Sequence, residues 1–562
     1  MMFPRRILQA PVLTAAVITF SCVASCRPKD AVEITPGSGG FGGSSTGGQG
    51  GSGGTASVGG STSGGGSTSA GGGTSGGGST SKGGAGGGGN SSNTGGAAAA
   101  GGTTATGGSG GRGGSGATGG SGGSGGSGGT GGSGGTGGSG GTAGSGGTGG
   151  ASTIPDAAPP SRGPTQHTTG HNFPFPLNRD HENSRCIYPT LYRNEDVQAA
   201  YTQWKNDTVT SDGAKGFRRV KRPKEPGLEP NSTVSEGIGY GMILAVYMDD
   251  QSLFDDLWKY EQANLDTQSY LMNWYIKADG SGPGSDPSGV GPASDADEDM
   301  AFALVMADKQ WGGQGSSTRT YIDWAKETIG KIWSKEVNSG KYLLPWPATG
   351  VPGINLSYFA PAYYKIFAKV DTANASGWNT LTSTMYGVLS ASLNATSGNT
   401  DNGLVPAWCD TGGKPNAGAF GATGGASPTN YQYDSCRIPF RIGLDYCWTG
   451  DTNAQAYAAK TSKFFSGIGA TNIVDGYDLN GTAHAQYQTG SNAQIQSSAF
   501  VGPAGVGAMS SSSYQTFVND AYSVLVAGKA LIGGTYYDDS WMVLSLLMMT
   551  ANFLDYTSIT PF

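Results

Sequence analysis

Residues 37–151 consist almost entirely of Gly, Ser, Thr and Ala, and no other feature of the 562-residue chain restricts its folding so severely. Such a tract cannot bury enough apolar surface to offset the entropy of ordering it. The sequence therefore predicts a disordered linker over 27–159 and confines the folded domain to 160–562. No strict Gly-X-Y period runs through the tract, which excludes collagen. The remaining body is long for one domain but acceptable for a large helical or α/β barrel. As a flexible coil, a tract of about 115 residues has an r.m.s. span on the order of 60 Å. That reach would hold a domain clear of a cell surface. A low-complexity expansion of no selected length has the same composition.

Ahead of the linker, Arg5 and Arg6 precede an apolar run from Ala10 to Val23. The run is shorter than the roughly 20 residues that a membrane-spanning helix needs, and it reads as a secretory signal over 1–26. It ends in Val23-Ala24-Ser25-Cys26, a sequence similar to a bacterial lipobox, so Cys26 is a candidate lipid anchor. Ordinary signal cleavage would leave Cys26 a bystander. The expectation is a secreted or cell-surface lipoprotein.

Beyond the leader, Cys186, Cys409, Cys436 and Cys447 allow three pairings, and export permits disulfides. Three of the four histidines, His167, His171 and His181, sit at the N-terminal edge of the body, and only His484 lies further in. With no HExxH motif and no Cys/His cluster at zinc spacing, no metal and no other cofactor is implied. A formal charge of −7 with 13% charged residues argues against a nucleic-acid partner. A monomer is expected.

The body reads as helices. Ser235 stands where it would cap a helix carrying Tyr240, Ile243, Leu244, Tyr247 and Met248 on one face. A second helix from about Asp299 carries Met300, Ala303, Leu304, Ala307 and Trp311. A third carries Phe359, Ala362, Tyr363, Ile366, Phe367 and Val370. Trp541 to Met549 is apolar on nearly every side, as in a helix packed among others. Strand-length alternation is scarce, and the connections are long and rich in Gly, Asn and Ser. A ring of helices with functional loops at one end fits this pattern.

Three polar segments interrupt the apolar runs. In Ser235-Glu236-Gly237-Ile238-Gly239-Tyr240-Gly241, Glu236 falls in a first helical turn beside glycines that permit close approach. A Glu there serves the helix dipole equally well. The glycines lack the spacing and the Lys of a phosphate loop. The second segment, Asp295-Ala296-Asp297-Glu298-Asp299, imitates a calcium loop, but Met300 and Met306 stand where Gly and Glu are required. Four acids in five positions repel one another unless an arginine or ligand organises them; a solvated acidic helix start is the plain alternative. In the third, Asp434 and Arg437 are spaced i, i+3, as a base and the cation that keeps it ionised, or as a structural ion pair. Trp274, Trp346, Trp408, Tyr358, Tyr477, Tyr536 and Tyr537 lie in polar or Gly-rich surroundings. Singly each is as readily a core residue. As a set with the acids they favour a carbohydrate cleft, because a sugar ring has an apolar face and a polar edge.

These segments resemble glycoside hydrolase family 8, the cellulase D family. Ala293-Ser294-Asp295-Ala296-Asp297, with Met300-Ala301, Ala303-Leu304, Ala307 and Trp311, resembles the family signature. Ser235-Glu236-Gly237 to Met242 is similar to its general-acid motif. Asn355-Leu356-Ser357-Tyr358-Phe359-Ala360-Pro361-Ala362, Asp434 with Arg437, and Phe500-Val501-Gly502-Pro503 also match, so the resemblance runs from about Asp212 to Phe553. It implies an all-α (α/α)6 barrel and an inverting endo-glycosidase. In that reading Glu236 protonates the leaving oxygen and Asp434 deprotonates the attacking water. Tyr358 holds that water, Arg437 orients Asp434, and Asp295 binds and distorts the sugar. Leu271-Met272-Asn273-Trp274 and Gly403 to Cys409 look most like the cellulase branch, which makes Trp274 the first sugar-stacking candidate. Trp346 and Tyr537 follow, although Asp538-Asp539 replace the family's Gly-Asn after Tyr537. The substrate expected is a β-1,4-linked glucan, cellulose or mixed-linkage, with xylan as runner-up. A non-catalytic carbohydrate-binding lipoprotein on the same fold is the alternative of another class; it predicts loss of Glu236 or Asp434, and both are present.

Overall fold

The computed structural model describes residues 170–562, apart from 180, 181, 183, 224–228, 286, 417–428, 485–487, 490–492, 495, 529–530 and 533–534. The leader with Cys26 and the linker over 27–159 lie outside the described residues.

Among these residues the chain forms α1 (Asn194–Thr208), α2 (Ser235–Tyr247), α3 (Gln251–Gln262), α4 (Ser294–Gln310), α5 (Tyr321–Glu336) and α6 (Pro361–Val370). It continues with α7 (Ala375–Ser392), α8 (Ile438–Thr449), α9 (Thr452–Ile468), α10 (Ser498–Ala508), α11 (Gln515–Ala527) and α12 (Tyr536–Met549). The even-numbered helices make an inner ring: each packs on the next, and α12 returns to α2. The odd-numbered helices lie outside, α3 against α2, α5 against α4, and so on to α11 against α10. The sixth outer position belongs to α1, which packs on α12, so the chain's first and last described helices close an (α/α)6 barrel.

Sequence separates the two rings. Every residue of α2 and α10 is buried, which requires helices that are apolar all round or built of small residues. The outer helix α3 instead turns Leu253, Phe254, Leu257 and Trp258 inward, and Asp250 caps it by accepting from the Leu253 amide. Small residues set the inner seams. A Cβ on Gly443 would lie 3.1 Å from the Gly507 Cα, where α8 meets α10 backbone to backbone. One on Gly502 would lie 2.3 Å from the Ser545 Oγ and 2.8 Å from its Cβ, across the α10–α12 seam.

The inner helices all begin at one end of the barrel, where short two-stranded ladders brace the loops. Thr233–Val234 pairs with Tyr275–Ile276 just before α2, and Ile354–Asn355 pairs with Trp408–Cys409 just before α6. The opposite end is closed by the N-terminal segment. Asn172 donates to the Gln310 and Lys309 carbonyls at the end of α4, and Arg185 donates to the Cys447 carbonyl near the end of α8. Of the three pairings open to the cysteines, the structure forms Cys186–Cys447, a bond spanning 261 positions; Cys409 and Cys436 are buried thiols.

Two helix starts differ from the sequence reading. Ser235 is the first helical residue rather than the cap, since Val234 occupies that position without a side-chain bond. The helix expected from about Asp299 begins at Ser294, because the four acids read as a polar interruption are themselves helical and buried.

Replacing Gly502 by alanine forces a methyl group into the Ser545 side chain. The overpacking cost, typically about 1–3 kcal/mol, exceeds the roughly 1 kcal/mol gained in helix propensity. Gly502→Ala is expected to lower the thermal unfolding midpoint, measured by differential scanning calorimetry.

Candidate active site

Arg437 stands at the last turn before α8, with its side chain 1% exposed at the end of the barrel where the inner helices start. Its Nη1 lies 2.5 Å from Glu236 Oε2 and 2.8 Å from Asp295 Oδ2, and its Nη2 lies 3.3 Å from Asp434 Oδ1. Its Nε donates to Ser357 Oγ at 3.0 Å. One guanidinium therefore gathers carboxylates from the starts of α2, α4 and α8 and a hydroxyl from the turn before α6. The remaining inner helices join through side chains as well. The Tyr536 hydroxyl, first in α12, donates to Glu236 Oε1 at 2.5 Å, and the Ser497 hydroxyl, just before α10, donates to Asp538.

Three carboxyl groups around one buried cation leave an excess of negative charge if all are ionised. The helix N-termini offset part of it, since Glu236 and Asp295 lie in first turns. The rest is relieved by a proton on Glu236. Burial pushes this carboxyl up to about 8 and the charge of Asp295 adds to the rise, while Arg437 and the Tyr536 hydroxyl pull against it. Glu236 is thus a proton donor at neutral pH, which the expected general acid must be.

Asp434 is held differently. Its Oδ2 accepts from Trp408 Nε1 and from Gln432 Nε2, each at 3.1 Å, and its own amide donates to Gln432 Oε1 at 3.2 Å. Tyr358 lies beside it. The Arg437 guanidinium sits 5.2 Å from the centre of the Tyr358 ring, and Trp408 meets that ring edge-on at 6.0 Å. Bridged by one guanidinium, Glu236 Oε2 and Asp434 Oδ1 cannot be farther apart than about 8 Å, a limit that admits the shorter inverting spacings and the retaining spacing alike.

The acidic segment of α4 is not a solvated helix start. Asp295, Asp297, Glu298 and Asp299 are all buried. Asp299 accepts from both terminal nitrogens of Arg441, on α8 one turn beyond Arg437, at 2.6 and 2.8 Å. Glu298 accepts from the Tyr364 hydroxyl at 2.9 Å. Asp297 and Glu336 face one another, and burial with mutual repulsion raises the Asp297 carboxyl well above its usual range.

Among the described residues no group of His, Cys, Asp and Glu is arranged to hold a metal ion. A family model, glycosyl hydrolases family 8, matches residues 181–551. The chain belongs to that family. It is 36% identical over 388 residues to Endoglucanase 2 of Ruminiclostridium josui, covering 68% of this chain and 77% of the relative. It is 36% identical over 362 residues to Endoglucanase A of Acetivibrio thermocellus, covering 64% and 69%. Among solved structures, the apo β-1,3-1,4-glucanase of Paenibacillus sp. X4 superposes with a TM-score of 0.59 at 29% identity, over 68% of this chain and 99% of that one. A reducing-end-xylose-releasing exo-oligoxylanase shares the fold at a TM-score of 0.52 and 19% identity, over 64% and 93%.

In this family 8 chain the tertiary structure brings Glu236, Asp295, Asp434, Arg437 and Tyr358 together, as the motifs led one to expect. Arg437 reaches more than Asp434: its shorter contacts go to Glu236 and Asp295. The Trp274 carbonyl accepts from the Ser235 amide beside Glu236, and its indole donates to the Ser288 carbonyl. Trp346 is half-buried, 6.5 Å from Trp408. Tyr537 is buried: its hydroxyl donates to the Tyr433 carbonyl, and its ring packs near Tyr240 and Trp541. Asp538, which departs from the family pattern, accepts from Ser497 and Thr535 and so ties α10 to α12. Sequence reading assigned no role to Tyr536, Gln432 or Ser357. Tyr536 stood in the aromatic set, but nothing local to it signals a contact with Glu236, 300 positions away.

Two pH dependences follow. Activity should fall as pH rises through the Glu236 value near 8, where the donor is lost. Tyr536→Phe removes a hydrogen bond that favours the ionised form, so the alkaline limb of the pH–rate profile should move to higher pH. Separately, the folded protein keeps protons on Asp297 and Glu336 that the unfolded chain has released above about pH 4. Stability contributed by this pair is therefore present below that pH and is lost as pH rises through the elevated folded values. Glu336→Gln supplies a neutral donor in place of the proton, and urea unfolding at pH 6 and 9 should show a smaller loss than in the parent.

Proposed function

We propose that this family 8 protein is an inverting endo-β-1,4-glucanase acting on cellulose or mixed-linkage β-glucan. The observation that carries the reading is the single buried arginine shared by three carboxylates, one of which keeps its proton at neutral pH. Glu236 donates that proton to the glycosidic oxygen as the bond to the anomeric carbon breaks. Asp434 takes a proton from a water attacking the opposite face of the sugar. Arg437 supplies the cation that Asp295 and Asp434 share with Glu236, and Asp295 engages the sugar at the cleavage point. Tyr358 helps to hold the water. Trp346, half-buried, supplies a stacking face, whereas Trp274, the first candidate from the sequence, is 4% exposed and as enclosed as Trp408, and so offers none. Similarity to endoglucanases over about two thirds of the chain supports a glucan rather than a xylan.

The leader and linker add a place of action. The Cys186–Cys447 bond belongs to an oxidising compartment and supports export. Cleavage before Cys26 and lipidation there would leave the barrel tethered through the long Gly/Ser/Thr-rich segment, suited to a polymer too large to enter the cell.

Reducing-sugar release by the full-length mature protein on carboxymethylcellulose, barley β-glucan, xylan and chitosan tests the substrate. Hydrolysis of the glucans is expected, with kcat lowered about 10²–10⁴-fold in Glu236→Gln. Proton NMR of the first product should show the α-anomer. Activity confined to xylan would move the substrate, and a Glu236→Gln variant as active as the parent would remove the mechanism.

A further inference from the structure

Trp408 entered the sequence reading as one of several aromatic residues suited to stacking on sugar. The structure gives it other partners. It is 2% exposed, too enclosed to offer a face to a polysaccharide. Its indole N–H points at Asp434 Oδ2, which also accepts from the Gln432 amide. The orientation of that amide is set by its own network, because Gln432 Oε1 accepts from the Asp434 backbone N–H.

A carboxylate offers about four lone-pair positions, two on each oxygen. Among the described residues, Oδ2 has two N–H donors, and Oδ1 has only the long contact to Arg437 Nη2. We infer that Trp408 and Gln432 are positioning residues that saturate Oδ2 and so make Oδ1 the atom of Asp434 that receives the proton from water. This rests on the reading of Asp434 as the general base. In the step itself the water oxygen bonds to the anomeric carbon while the bond to the leaving oxygen breaks. One water proton passes to Asp434 Oδ1, and the proton of Glu236 passes to the leaving oxygen.

Trp408 is placed for a second task. Asn355 pairs with it across a short antiparallel ladder, and the chain runs from Asn355 straight into the turn that carries Tyr358. The Trp408 ring meets the Tyr358 ring edge-on, with 71° between their planes. One indole therefore sets the carboxylate that deprotonates the water and braces the tyrosine beside it. A small shift of either would misplace the attacking oxygen, and misplacement by about 1 Å is enough to cost on the order of 100-fold in rate.

The test is steady-state kinetics of the full chain on soluble barley β-glucan. Trp408→Phe keeps an aromatic ring, smaller than the indole, and removes the N–H; Gln432→Leu removes the other donor. Each should lower kcat about tenfold or more while KM stays within about twofold, since the base is engaged in the transition state and not in sugar binding. A raised KM at unchanged kcat would mark Trp408 as a sugar contact and overturn the inference, as would unchanged kcat in both variants. Asp434→Asn separates this from the parent reading. If Asp434→Asn abolishes turnover while both donor variants retain it, only the inference fails; if Asp434→Asn is fully active, the base assignment itself fails. Should Trp408→Phe lose its cooperative unfolding transition, Gln432→Leu decides the matter through the same oxygen.

Discussion

A single guanidinium, buried at the convergence of the inner helices, is the constraint on which the rest of the site depends. Without Arg437, the carboxyl groups of Glu236, Asp295 and Asp434 would lose the one cation they share, and removing one partner of a buried ion pair is costly. With it, the three share one cation unequally. Two contacts fall on Nη1 and the third, longer, on Nη2. The inequality matters chemically. Glu236 is buried beside Asp295, and burial together with that neighbouring charge pushes its carboxyl up to about 8, against the pull of Arg437.

Barrel geometry makes this gathering possible. In an (α/α)6 barrel each inner helix is followed by an outer one that returns the chain, so all inner helices begin at the same end. Their unsatisfied N–H groups and positive dipole ends point toward the same volume, which suits carboxylates in first turns. The architecture also carries charge inward along α8: Arg437 meets the site acids, and Arg441, one turn below, pairs with Asp299. Buried ion pairs of this kind contribute little net stability, because desolvation offsets their attraction, but removing one partner is costly. The stability of the barrel comes from its apolar inner ring and from seams kept close by Gly443, Gly502 and Gly507.

The helical body was legible where the apolar period was clean. The faces of α2 and α6 ran through Tyr240, Ile243, Leu244 and Tyr247, and through Ala362, Tyr363, Ile366 and Phe367, all of them buried. The start of α4 was not legible, because four acids in five positions carry the signature of an exposed turn. Three of them are held inside because Arg437, Arg441 and Tyr364 come from distant parts of the chain to meet Asp295, Asp299 and Glu298, while burial beside Glu336 raises the carboxyl of the fourth, Asp297; no local pattern encodes that. The same holds for the disulfide: spacing left three pairings open, and the path of the N-terminal segment beneath α8 selected Cys186–Cys447.

The amino-acid sequence by itself determined which residues are candidates for chemistry. Carboxylates beside glycines and aromatic rings, in an ordered set of motifs, are properties of residue type and spacing, and both can be read along one dimension. Only the tertiary structure decided who shares the arginine, which carboxyl keeps its proton and which oxygen of Asp434 is left with an open lone pair. Those outcomes depend on burial and on distances of 2.5 to 3.3 Å between side chains up to 300 positions apart. Coulombic and hydrogen-bond energies change steeply over such distances, and they take their values only once the chain has folded.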